Sequence, residues 1–205
     1  MKIYLASKSP RRSELLRQIG IEFDVLRLRE APPRGPDVTE LVLPGELAAD
    51  YVRRVTQEKA DKAWEVLQAR RLALHPVLSA DTTVVLDQQI LGKPENPAQA
   101  EAMLASLSDR EHQVMTSIAL RFHHQLLQCT QVSTVRFAKL SPASIAAYCA
   151  SKEPYDKAGG YGIQGDAARF IAHISGSYSG IMGLPLFETS QLLAELASLN
   201  PQESQ

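Results

Sequence analysis

The apolar positions of the chain change period several times, and each change marks a predicted element. Lys2 to Ala6 is a short apolar run and reads as a strand. Ser9-Pro10 then opens a helix, since serine caps well and proline lacks only an N–H that the first turn leaves unpaired; Gly20 is a natural stop. Glu22 to Leu28 suits a second strand. Residues 31–45 hold four prolines and two glycines, so they form a loop or hinge, the place where mobility is expected. From Glu46 to about Arg71 the period becomes helical, with Ala48, Val52, Val55, Lys59, Ala63 and Val66 on one face.

The second half alternates again. Val77 to Leu86 is rich in β-branched residues and suits a buried strand, turned into a short hairpin at Asp87-Gln88-Gln89. Asn96-Pro97 repeats the cap-plus-proline signal before a helix to Leu107. Val114 to Phe122 and Leu126 to Phe137 read as two strands joined at His123-His124-Gln125. Ser141-Pro142 opens another helix, ending near Ala150. Residues 156–165 are a glycine-rich loop, Arg169 to Ile174 a strand, and Leu184 to Leu199 a closing helix. Hairpins and helical crossovers intermix, which predicts an α/β fold with a mixed, twisted sheet and flanking helices. We expect a single domain over residues 1–199 and a frayed tail at 200–205.

Composition narrows the function more than the fold. Of 205 residues, 44% are hydrophobic and 22% charged, and 22 Lys+Arg against 23 Asp+Glu leave a net charge of -1. No basic surplus points to a nucleic-acid or membrane partner, so an anion site must be a local cluster. No apolar run approaches the ~18 residues of a membrane span and the N-terminus lacks a leader pattern, which predicts a cytoplasmic protein. Cys129 and Cys149 stand in unrelated contexts and read as reduced thiols.

Several residues sit where their chemistry is expensive. Arg11 and Arg12 occupy a helix first turn, where the unpaired N–H groups already carry partial positive charge. A phosphate there would satisfy the N–H groups, Ser7, Ser9 and both guanidiniums; a solvated arginine pair is the plain alternative. Lys59 falls on the apolar face of its helix, and needs a partner or an anion unless its stem snorkels to solvent, the reading the sequence favours slightly. Asp81 interrupts a buried strand. It suits a general base or a metal ligand, or an Asp that merely ends the strand on local backbone N–H groups. Lys93 follows in a tight Gly-Lys-Pro loop.

Gly160, Gly162 and Gly165 match G-x-G-x-x-G, but no strand precedes them and no helix follows, so a dinucleotide fingerprint is rejected. The glycines would instead let backbone approach a ligand, with Gln164 free to bond a base edge. His112 and His173 read as structural, His123 and His124 as a solvated hairpin tip, and Tyr51 and Trp64 as packing residues. No Walker A motif, H-E-x-x-H or G-x-S-x-G is present.

Taken in order, Leu5-Ala6-Ser7-Lys8-Ser9-Pro10-Arg11-Arg12, Ser79-Ala80-Asp81-Thr82-Thr83, Leu91-Gly92-Lys93-Pro94, His112 to Thr116, Asp156 to Gly165 and Gly176 to Leu186 resemble the Maf family. The resemblance covers about residues 1–190. It implies a two-lobed α/β fold around a cleft, similar to inosine-triphosphate pyrophosphatases. It also implies cleavage of a nucleoside triphosphate between its α- and β-phosphates with a divalent metal, Mg²⁺ or Mn²⁺, and a homodimer. Asp81 would be the proton acceptor and a metal ligand. Ser7, Arg11, Arg12, Lys59 and Lys93 would bind the phosphates and metal, while Arg12, Thr82 and Gln164 would select the base. Glu30 is the candidate for an acidic binding residue in the proline-rich loop. The glycine-loop sequence resembles the branch acting on dTTP and UTP; 7-methyl-GTP pyrophosphatase and a nucleotide-binding regulator of septum formation are the alternatives. The chain departs from the pattern at Asp109, where Gly is usual, and at Gly160, where Ala is common.

Overall fold

A computed structural model describes residues 1–29 and 35–201. Glu30, part of the proline-rich loop and the tail expected to fray from residue 202 onward lie outside the described residues.

Seven strands form one mixed sheet in the order β2-β1-β3-β5-β6-β7, with β4 paired to β3 alone. The strands are β1 (Ile3–Leu5), β2 (Phe23–Val25), β3 (Val77–Leu86), β4 (Gln89–Leu91), β5 (Glu111–Phe122), β6 (Gln125–Phe137) and β7 (Ile171–Ser175). The β1 strand runs parallel to both β2 and β3; every pair from β3 to β7 is antiparallel. Helices α1 (Pro10–Gln18), α2 (Ala48–Ala69), α3 (Pro97–Leu107), α4 (Pro142–Cys149), α5 (Tyr178–Met182) and α6 (Leu186–Leu199) flank it. The α/β expectation is therefore met.

Local chemistry explains the boundaries. Asn96 Oδ1 accepts from Gln99 N at 3.0 Å and Ser141 Oγ from Ser144 N at 3.1 Å, so both cap-plus-proline signals start helices as expected. At Ser9 the cap is absent: its hydroxyl makes no capping bond, and Ser7 Oγ instead accepts from Ser9 N at 3.2 Å. Strand β2 is shorter than the expected 22–28, because it sits at the sheet edge and pairs with β1 over three residues only. Strand β7 starts at Ile171 rather than Arg169, since a 3-10 turn over Asp166–Phe170 first brings the Phe170 ring against Phe137 and Tyr148. Helix α5 is too short to show a period; Ser177 Oγ caps it at Gly180 N, and Gly183 ends it at φ 115°. Asp109, where the resemblance has Gly, adopts φ 59°, a left-handed conformation that Asp tolerates better than most residues.

The buried core falls into two main clusters. One gathers β1, α1, the end of α2, α6 and the start of β3 around Leu5, Leu16, Leu67 and Leu78. The other joins α3, α4 and the opposite ends of the long strands around Leu104, Val135, Phe137 and Tyr148. Ala6, Ala80 and Met182 of the first cluster and Val84, Val114 and Ile181 of the second line the same cleft, of about 520 Å³.

Sheet topology puts the cleft there. On one edge of β3, β1 pairs at Val77 and Leu78, and β4 pairs from Val84 to Leu86. Among the described residues, the edge between Leu78 and Val84 has no strand partner. Successive side chains in a strand point to opposite faces, yet both Asp81 and Thr82 reach the cleft, because it opens on this bare edge. The parallel strand β1 delivers its C-terminal end and the start of α1 to the same crevice, the usual ligand position in an open α/β sheet.

Candidate active site

The cleft is lined by Ser7, Arg11, Arg12, Lys59, Asp81, Thr82, Lys93 and Gln164, so every site residue the sequence suggested among the described ones converges on one place. Arg12, Lys93 and Asp81 could have fallen on separate faces; they do not.

Lys59 decides the electrostatics. Its ammonium lies 2.7 Å from Asp81 Oδ1 and 2.6 Å from Glu40 Oε1. The snorkelling reading of Lys59 is thereby corrected. Its inward position on α2, next to buried Val52, Val55 and Ala63, carries it across the sheet face to two carboxylates, and its side chain is only 15% exposed. The strand-ending reading of Asp81 fails as well. Strand β3 continues to Leu86, and the carboxylate, 11% exposed, meets an ammonium rather than local backbone. A buried carboxylate that has lost water needs such a partner. Asp81 Oδ2 has no hydrogen-bond partner among the described residues.

Glu40 was not singled out in the sequence. It lies in the loop before α2, which carries no period to betray it. Tyr51 packs with Val52 and Val55 as expected, and it also lines the cleft, where its hydroxyl donates to the Glu40 carbonyl at 3.0 Å and fixes this loop. Burial pushes the Glu40 carboxyl up, but Lys59, aided by Lys93 and Arg12, outweighs burial and holds it below the usual glutamate value. The acidic residue beside the lysine is thus Glu40; Glu30 lies outside the described residues.

Arg12 is held by three bonds. Nε donates to the Gly183 carbonyl at 2.8 Å, Nη1 to Ser7 Oγ at 3.1 Å and Nη2 to Thr82 Oγ1 at 3.2 Å. Burial lowers its pKa, while Asp81 and Glu40 act the other way. Arg11, one residue before, makes no hydrogen bond to the described residues. No acidic side chain stands in the first turn of α1, so Arg11 and Arg12 line the cleft beside the helix start without a counter-charge in that turn.

The glycine loop closes the other side with Gly162 on the cleft wall, and its glycines also serve the protein's own packing. A side chain at Gly165 would collide with the Glu153 carboxylate, which also accepts from Asp166 N at 2.9 Å. A Cβ at Gly159 would meet Val84 at 2.9 Å, and one at Gly162 would meet the Lys157 stem at 2.8 Å. Gln164 is left exposed on the cleft wall. His112 supports the loop from below: buried in β5, it pairs Nε2 with the Tyr161 hydroxyl at 2.6 Å, and burial lowers its pKa to about 4. Trp64 packs edge-on against Phe122 and His123, and His123 stays exposed at the hairpin tip as expected. Cys129 and Cys149 are free thiols.

The donor set has room for a metal that shares its shell with a ligand. Among the described residues no three His, Cys, Asp or Glu side chains gather to hold an ion alone. Two carboxylates converging on one ammonium do fit Mg²⁺, which typically takes one or two protein carboxylates and completes its shell with water and phosphate oxygens.

The family described as Maf-like protein matches residues 2–196. The chain belongs to the Maf family. Two relatives named dTTP/UTP pyrophosphatase align over nearly their full length. That of Nitrosomonas europaea is 57% identical, covering 94% of this chain and 93% of its own. That of Nitrosospira multiformis is 54% identical, covering 96% and 95%. Among solved structures, the Ham1 protein of Staphylococcus aureus shows a partial likeness: 67% of this chain and 72% of that one, 18% identity, TM-score 0.42. Among the described residues of this Maf chain, no helix is long and apolar enough to cross a membrane.

Proposed function

We propose that this Maf chain hydrolyses dTTP and UTP to the monophosphate and pyrophosphate. One observation carries the chemistry: Lys59 ties Asp81 and Glu40 together inside a cleft that also holds Arg11, Arg12 and Lys93. These cations around a carboxylate pair suit a polyphosphate, whose charge they would help to offset and whose reacting phosphorus they would position. The names of the relatives supply the base preference.

In this reading the triphosphate lies over the start of α1, with Ser7, Arg11, Arg12 and Lys93 on its oxygens. Asp81 Oδ2, the carboxylate oxygen without a partner among the described residues, accepts a proton from water attacking the α-phosphorus in line, and pyrophosphate departs. Lys59 keeps Asp81 aimed. Asp81 and Glu40 would hold a divalent cation, Mg²⁺ or Mn²⁺, whose contribution is to neutralise phosphate charge. Arg12, Thr82 and Gln164 face the base. The same reading places the protein in the cytoplasm, as a homodimer without a nucleic-acid partner.

Pyrophosphate release across UTP, dTTP, CTP and 7-methyl-GTP with Mg²⁺ or Mn²⁺ tests it. Turnover of UTP and dTTP above the others is the expected result. Preference for 7-methyl-GTP would assign the alternative substrate, and binding without turnover would leave a regulatory role.

A further inference from the structure

Thr116 closes the His112–Thr116 segment, and buried threonine in a strand is ordinary. Its hydrogen bonds give it a purpose. It lies on β5 directly opposite Thr82 of β3, and it is fully buried. Thr116 Oγ1 is 2.8 Å from the Gly180 carbonyl and 3.0 Å from Thr82 Oγ1. A carbonyl only accepts, so the single Thr116 proton points at Gly180; without it, two lone pairs would face each other at 2.8 Å. Gly180 O also accepts from Gly183 N at 2.9 Å, which completes its capacity. The proton between the two threonines must then come from Thr82.

Thr82 is fixed from its other side too. Arg12 Nη2, which can only donate, lies 3.2 Å from Thr82 Oγ1. The Thr82 hydroxyl thus spends its proton on Thr116 and one lone pair on Arg12. What remains is a second lone pair, on the one side chain of β3 that is not buried and that lines the cleft. Arg12 Nη2 beside it carries a second N–H. The two atoms offer a donor next to an acceptor, the complement of a base edge that shows C=O next to a ring N–H.

We propose that Thr116 is a positioning residue that makes Thr82 an obligate hydrogen-bond acceptor, so that the cleft admits bases with a carbonyl beside a ring N–H, such as uracil and thymine, and refuses cytosine. Cytosine presents a ring nitrogen lone pair at that position, which would face the Thr82 lone pair. A site built to bond one polar edge discriminates because the wrong edge leaves buried groups unpaired. The inference rests on the nucleotide reading above and adds to it the origin of base choice.

The test is kcat/KM for pyrophosphate release from UTP, CTP and N3-methyl-UTP in wild type, Thr116→Val and Thr116→Ser. Thr116→Val frees the Thr82 hydroxyl to rotate and donate. The UTP-to-CTP preference should shrink by about tenfold, the worth of one neutral hydrogen bond. Thr116→Ser, which keeps the hydroxyl, should retain the preference. A merely structural role would lower activity on every nucleotide alike and leave the ratio unchanged, which would overturn the proposal. A measurement on the wild type keeps it exposed even where Thr116→Val does not fold: N3-methyl-UTP turned over as fast as UTP would also overturn it. If the wild type turns over neither UTP nor dTTP, the nucleotide reading falls and takes the proposal with it. Turnover of UTP with an unchanged ratio removes the proposal alone.

Discussion

The two ends of the cleft are finished to different degrees. At one end Arg12, Ser7, Thr82, Thr116 and the carbonyls of Gly180 and Gly183 form a chain of bonds in which nearly every donor has its acceptor. At the other, Lys59 stands between two carboxylates, Asp81 Oδ2 has no protein partner among the described residues, and Lys93 is exposed. The first end is set by geometry, its bonds running between fixed partners. The second is set by charge, and its ion pairs are available to be exchanged for phosphate and metal. Burial sharpens the contrast: a guanidinium out of water must be bonded to fixed partners, whereas an exposed ammonium keeps its hydration and can be moved.

Substitutions can break that contrast. The largest effect is expected from Asp81→Asn, which keeps shape but loses the base: turnover of UTP should fall by about 10²–10⁴-fold while nucleotide affinity, measured by calorimetry, changes little. Lys59→Met comes next. It leaves Asp81 and Glu40 facing each other without the ammonium between them, and kcat for UTP should fall by about 10²-fold; an unchanged kcat would deny Lys59 its role. Arg12→Lys should cost about 10- to 100-fold in kcat/KM, because an ammonium cannot reproduce three bonds in a fixed fork. Arg11→Lys, at a position that makes no hydrogen bond among the described residues, should cost only a few-fold. Equal losses in the two variants would erase the distinction between the ends.

The smallest effect on chemistry, and a clear one on stability, belongs to His112. Burial holds its pKa at about 4, below the unfolded value near 6.5. The neutral ring therefore contributes stability that is present above about pH 6.5 and lost as pH falls toward 4, by about 3 kcal/mol in all. Denaturant unfolding at pH 7 and pH 4.5 should show the loss in wild type and less of it in His112→Gln, which can bond Tyr161 but does not titrate.

Most elements were legible because their signals are local: Asn96-Pro97 and Ser141-Pro142 start helices, and the β-branched run makes β3. Asp81 and Lys59 were legible as misfits, a charge in an apolar strand and a charge on an apolar helix face. That each resolves the other was not, since the contact spans 22 positions and depends on how α2 lies across the sheet. Glu40 was invisible because an acidic residue in an irregular loop violates no pattern. Thr116 looked like any strand-former. The glycine loop was read as a ligand approach, and Gly165 also makes room for Glu153, a partner 12 residues earlier that no spacing rule connects to it.

In the proposed reaction the cleft directs water at the α-phosphorus with Asp81 as base. A single turnover of UTP in ¹⁸O-water, read by mass spectrometry of the products, addresses it directly. The label should appear in UMP and not in pyrophosphate. Label in pyrophosphate would place the attack on the β-phosphorus and contradict the arrangement described.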